Sequence, residues 1–178
     1  MRRGILALLF LILLTACGSS KSGLTADDLA IVKVGDEKAV VQYGMSRANV
    51  EKVLGEAEND GSRGMMFYNN GVGVLYRENS AVPILMNEDS KGSFITSGGL
   101  EVNMNKNDLY KIYDEKNAIE VSGSLNFAYD SVDKKYLKEV KYDSDQSNQR
   151  YLISVEFNDK GEAEWIAVSD IQAALLAN

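Results

Sequence analysis

The chain of 178 residues has no histidine, one cysteine and one proline. Without histidine there is no Ser-His-Asp or Cys-His triad and no imidazole ligand for zinc. A lone cysteine excludes an internal disulfide and any Cys-rich metal site. Basic residues are scarce as well: 19 Lys and Arg stand against 26 Asp and Glu, for a net charge of −7. With no basic stripe to neutralise phosphates, nucleic acid is not an expected partner. Long apolar runs are limited to one, at the start of the chain; no later segment is apolar enough to span a membrane. What remains is ordinary globular material, 45% hydrophobic and 25% charged, too apolar for disorder.

The single apolar run extends from Ile5 to Leu14, behind Arg2 and Arg3 and ahead of Leu14-Thr15-Ala16-Cys17. A charged start, an apolar centre and a small-residue cleavage site make an export signal. As a helix, ten residues reach only about 15 Å, roughly half a hydrocarbon core, which does not suit a permanent span. Gly18-Ser19-Ser20-Lys21-Ser22-Gly23 follows, a composition typical of a flexible tether.

Leu14-Thr15-Ala16-Cys17 resembles the lipobox of bacterial lipoproteins. The resemblance implies cleavage between Ala16 and Cys17 and lipidation of Cys17 by a diacylglyceryl group. Two acyl chains, at about 0.8 kcal/mol per buried methylene, hold a protein stably at a membrane. The expected location is therefore extracytoplasmic and lipid-anchored, at the cell membrane or an outer membrane; Gly18 in place of aspartate carries no inner-membrane retention signal. Removing residues 1–16 takes away Arg2 and Arg3 and no acid, which carries the net charge from −7 to −9. A body this acidic is repelled by anionic headgroups, so the membrane contact falls to the lipid.

Beyond a tether at residues 17–28, Leu29–Val34 and Lys38–Gln42 read as strands of a hairpin around Gly35-Asp36-Glu37. Ser46 predicts a helix N-cap, with Met45 and Val50 as a hydrophobic staple, Val50, Val53 and Leu54 on one face, and Gly55 at the end. Met65–Tyr68 and Val72–Tyr76 pair across Asn69-Asn70-Gly71. Val82–Met86 carries the only proline, Pro83, which predicts an edge strand or a strand start. The polar stretch Asn87–Ser97 reads as a connection.

The segment from Gly44 to Leu54 returns 59 positions further on, from Asn103 to Tyr113. Met104 repeats the staple and Asn105 the cap, while Leu109, Ile112 and Tyr113 repeat the buried face. Strands are expected at Ser124–Tyr129, Arg150–Phe157 and Glu164–Val168, then a helical turn from Ile171 to Leu176 capped by Ser169 and Asp170. Gly44-Met45-Ser46, Val50 and Leu54-Gly55, with a sheet following, resemble the unit of envelope-assembly lipoproteins of the SmpA/OmlA type and of the tandem-repeat β-lactamase-inhibitory proteins. Asn103 and Asp114 stand where the second copy should have glycine. The expected fold is α+β: two helix-plus-antiparallel-sheet repeats, residues 29–98 and 99–178, behind a lipoprotein signal peptide.

Catalytic chemistry finds no complete constellation. No serine lies in a Gly-x-Ser-x-Gly motif, and the one Ser-x-x-Lys spacing, Ser131 with Lys134, falls in a charged connection. Asp143-Ser144-Asp145-Gln146-Ser147-Asn148 spaces its oxygens like a calcium loop but has Asn148 for the turn glycine and Ser154 for the bidentate glutamate. Asp27, Asp28, Asp130 and Asp133 read as caps and solubilising charge. No cofactor, metal or catalytic residue is therefore expected, and the protein is not expected to be an enzyme. Aromatic residues suit recognition faces and half-buried sheet faces alike. Tyr68, Tyr76 and Trp165 are the candidate protein-binding residues, with the strand pattern leaving open which of them points outward. The expected function is a non-enzymatic module that binds or scaffolds another exported protein. The alternative is an inhibitor or immunity-type protein that blocks a secreted enzyme.

Overall fold

A computed structural model describes residues 22–60, 64–141 and 147–177. The lipobox residues Ala16 and Cys17, and the acidic loop positions Asp143 and Asp145, lie outside the described residues.

The first strands are β1 (Ala30–Lys33) and β2 (Asp36–Gln42), the expected hairpin, and they are followed by α1 (Arg47–Leu54). Ser46 precedes α1 with extended backbone, and Val50 and Leu54 are its buried residues. Next come β3 (Asn59–Asp60), β4 (Met65–Tyr68), β5 (Val72–Arg77), β6 (Ser80–Met86) and β7 (Phe94–Thr96). The second half runs α2 (Lys106–Tyr113), β8 (Ile119–Val121), β9 (Ser124–Asp130), β10 (Lys135–Tyr136), β11 (Arg150–Phe157), β12 (Ala163–Asp170) and α3 (Ile171–Ala177). The class is α+β, mostly antiparallel sheet.

Two features of the sheets differ from the sequence reading. The polar stretch 87–97 is not merely a connection, because it contains β7, which pairs with β1 in a small sheet ordered β2-β1-β7. The larger sheet is ordered β10-β9-β11-β12-β6-β5-β4-β3, with β8 also on β9, so strands of both halves form one surface. Its seam is β6 against β12, with Ile84 opposite Val168 and Met86 opposite Ile166. Pro83 therefore lies in the middle of an interior strand, where an edge strand or a strand start was expected. It is tolerated because pairing with β12 ends at Ile84 and the ladder to β5 shifts register between Val74 and Tyr76, which removes the need for its missing N–H.

The expected tether also ends earlier than residue 28. Leu24 is buried, Thr25 caps a 3-10 turn at Ala26–Asp28, and Asp28 accepts hydrogen bonds from the Thr25 N–H and hydroxyl. An added Cβ on Gly23 would strike the Tyr129 ring, which places the chain directly against the body there.

Both helix entries are tied to a distant strand in the same manner. Gly44 N–H donates to the Ala81 carbonyl and Ala81 N–H to that of Met45; Asn103 N–H donates to Ala163 and Ala163 N–H to Met104. The two non-glycine substitutions fall at positive φ: Asn103 at 69° and Asp114 at 65°, where Gly44 has 82° and Gly55 has 89°. Asn and Asp are the side chains that best tolerate that region, so glycine is dispensable at both.

One apolar core lies between the large sheet and the layer formed by α1, α2 and the small sheet. It joins Val41, Val50 and Ile84 of the first half to Leu109, Phe127 and Ile166 of the second. Tyr113 is fully buried in it, with its ring 4.9 Å from that of Phe127. Burial raises its pKa, and its hydroxyl has no hydrogen-bond partner among the described residues. An unsatisfied buried hydroxyl destabilises, so Tyr113→Phe should raise stability by about 1 kcal/mol in urea denaturation. A fall in stability would contradict this account.

Candidate functional site

Side chains alternate across the strands of the large sheet, and the face opposite the core is only partly covered. At one end α3 packs on it: Ile171 contacts Ala128 and Leu152, joined by Ile119, Leu137, Val140 and Ala174. Toward the other end lie Met65, Phe67, Leu75, Leu85, Trp165 and Ala167, all half-buried. The register places Phe67 opposite Gly73, Gly73 opposite Leu85, and Leu85 opposite Ala167, a continuous row across four strands. The space over Gly73 is already occupied: a Cβ would lie 3.1 Å from the Phe67 ring and 3.3 Å from the Met65 sulfur. Those two side chains therefore lean over the glycine and close the apolar row.

Trp165 borders two shallow depressions on this face. The first, about 220 Å³, is lined by Leu85, Ser154, Glu156, Trp165 and Ala167. The second, about 150 Å³, is lined by Asn87, Glu88, Asp89, Glu164 and Trp165. Strict alternation would turn Glu164 away from its neighbour Trp165. The register shift between Glu156 and Phe157 leaves Glu164 without a cross-strand partner, and such a bulge re-aims a side chain.

Of the three candidate binding residues, only Trp165 lies on the open face. Tyr68 is 3% exposed and belongs to the core, so it is not an available anchor. Tyr76 is also turned inward, packed against the core, and the two hydroxyls are 2.7 Å apart. Alternation along β5 puts Tyr76 on the side of the buried Val72 and Val74, and Val72 pairs with Tyr68. Burial raises the pKa of both phenols, which fits hydroxyls satisfied by each other. Sequence reasoning missed Phe67, Leu75 and Leu85, although the off-core positions Ser154 and Glu156 in β11 already marked a face without a cover.

Buried charge elsewhere is structural. Asp130, 1% exposed, accepts hydrogen bonds from Val132 N–H, Asp133 N–H and the Arg150 side chain. Burial pushes its pKa up, but these donors outweigh burial and hold it below the usual carboxylate range. Ser131 donates its hydroxyl to the Gln149 carbonyl, away from any nucleophile role with Lys134. Among the described residues no three acids converge as metal ligands, and no helix is long and apolar enough to cross a membrane. No family model, no curated protein and no solved structure matches the chain.

Proposed function

We propose that the protein is an extracytoplasmic lipoprotein, anchored through lipid on Cys17, that binds another exported protein on the open face of its large sheet and performs no catalysis. The observation that carries the binding reading is the apolar row from Phe67 through Leu85 to Ala167, flanked by Trp165 and left without a covering helix or strand among the described residues. An antiparallel sheet can leave one face to solvent, but that face is then normally polar. An aromatic anchor among half-buried aliphatics suits a recognition surface. The anchor reading is supported by the sequence Leu14–Cys17 and by the short reach to the body: six residues lie between Cys17 and the buried Leu24, a span of at most about 25 Å. On this reading the binding face stays close to the membrane surface.

The two halves are read as copies of one helix-plus-sheet unit. The matching hydrogen bonds of Gly44 and Met45 to Ala81, and of Asn103 and Met104 to Ala163, support that reading, as do the positive φ values at Gly55 and Asp114. Joined through β6 and β12, two such units present a face broader than either has alone.

A photocrosslinking side chain placed at Leu85 should give, in intact cells, a discrete adduct with one other protein. The same group at the exposed Lys38, on the small sheet, should not. Cys17→Ser should move the protein to the soluble extracytoplasmic fraction or leave it as an uncleaved precursor, with the diacylglyceryl mass absent. Equal adducts from both positions, or substrate turnover that follows the purified protein, would overturn the binding reading.

A further inference from the structure

We infer that the partner docks by presenting an arginine side chain to Trp165; the inference rests on the binding reading above and names the chemistry of that same face. The indole forms a shared wall of the two depressions. Glu156 lines one of them; Glu88, Asp89 and Glu164 line the other, and neither lining contains a lysine or arginine.

Unpaired carboxylates occur elsewhere in the fold, Glu37 and Asp159 among them, but these four line depressions that share one indole. Glu51, Asp108, Asp114, Glu120, Asp130 and Asp170 each have a Lys or Arg within ion-pair distance. Glu88, Asp89, Glu156 and Glu164 have no ion-pair or hydrogen-bond partner for their side chains among the described residues. The fold fixes the backbone beneath three of them. Asn87 accepts the Asp89 N–H at 3.0 Å to fix the 3-10 turn Glu88–Ser90. The β4–β5 turn then presses on that segment so closely that a Cβ on Gly71 would overlap Asn87 and the backbone of Asp89 and Ser90. The bulge does the same for Glu164.

Negative charge around an indole, with an apolar row alongside, matches one kind of group best. A guanidinium is planar and weakly hydrated; it stacks on the face of tryptophan while its N–H groups reach carboxylates at its edges. A compact, strongly hydrated ammonium gains less from the apolar surroundings. A divalent cation would need converging oxygens, and no three acids converge among the described residues. The occupant is therefore an arginine-bearing segment of an exported protein, with apolar residues beside the arginine to cover Leu85, Ala167 and Phe67.

Trp165 is the only tryptophan of the chain, so its fluorescence reports on this site alone. The mature protein is titrated with the peptide acetyl-Thr-Arg-Leu-Arg-Thr-amide and with the same peptide carrying citrulline, which keeps the shape and removes the charge. The expected result is a saturable change in emission with the arginine peptide and binding weaker by about tenfold or more with citrulline. Glu156→Gln with Glu164→Gln, and separately Glu88→Gln with Asp89→Asn, should each weaken the arginine peptide severalfold, as should added salt. All four are solvent-facing carboxylates without partners, so circular dichroism should stay unchanged. Equal binding of the two peptides, or no effect of the four substitutions, would overturn the inference. Crosslinking from Leu85 separates the two levels. A partner adduct that survives all four substitutions keeps the binding reading and removes the arginine, absence of any adduct removes both, and an adduct of the protein with its own copy replaces the proposed occupant.

Discussion

Replacing Asp170 with alanine should lower stability by about 3–5 kcal/mol, the range for breaking a buried ion pair by removing one partner. Asp170 is fully buried, and its two oxygens are occupied on every side. One accepts the Tyr43 hydroxyl at 2.6 Å and an Arg77 N–H at 2.6 Å; the other accepts the Ala173 N–H at 2.6 Å and caps the start of α3. Arg77 also donates to Gln172 at 3.1 Å. Without the carboxylate, a partly buried guanidinium loses its counter-charge, a phenol loses its acceptor, and a helix N–H is left open. The Tyr43 pKa is raised by burial and by the neighbouring carboxylate, so the phenol stays a donor throughout the ordinary pH range. Asp170→Asn keeps the shape and one acceptor and should lose less than alanine. Urea denaturation of the two variants, with Arg77→Ala to complete a double-mutant cycle, measures the pair. A loss below about 1 kcal/mol for alanine would show that the cluster is not the buried clamp described here.

That clamp also marks the limit of what a sequence reading reaches. Asp170 is recognisable as a cap for the final helix, and it does accept the Ala173 N–H. Nothing in the local pattern joins it to Tyr43 and Arg77, which come from β2's end and from β5, because pairing between distant segments leaves no local signature. Helices α1 and α2 and the strands β4, β5, β9, β11 and β12 were legible, since each has a period or a cap of its own. Short strands were not: β7, β8 and β10 are two or three residues long and owe their state to the neighbour they pair with. The open face was hidden for a different reason. Met65-Met66-Phe67-Tyr68 is apolar at every position, so alternation cannot say whether Phe67 or Tyr68 points to the core, and only the register with β5 decides it. The bulge at Glu164 adds a further ambiguity, which is how Glu164 came to share a depression with Trp165.

Heating the full chain should give a single cooperative transition, and residues 29–98 or 99–178 expressed alone should not fold. The reasoning starts at the seam. β6 has β5 on one side and β12 on the other, so cutting the chain between the halves turns an interior strand into a long, apolar, unpaired edge. Val82, Ile84 and Met86, all buried in the whole protein, lie along that edge. The core is divided as well, because Ile84 and Met86 pack in the same cluster as Phe127, Ile166 and Val168. Each half is then a domain of about 70–80 residues with only part of a core, a size at which folding is marginal even for intact domains. In the full chain, Ile84→Ala and Ile166→Ala should each cost about 2–5 kcal/mol as buried large-to-small changes. Both should shift the same transition, whether followed by Trp165 emission or by far-ultraviolet circular dichroism, since coincident probes are the mark of two-state unfolding. Two separate transitions, with Ile84→Ala moving one and Ile166→Ala the other, would mean that the halves are independent and that the sheet merely joins them. A soluble, helical fragment 99–178 with a sharp melt of its own would lead to the same conclusion.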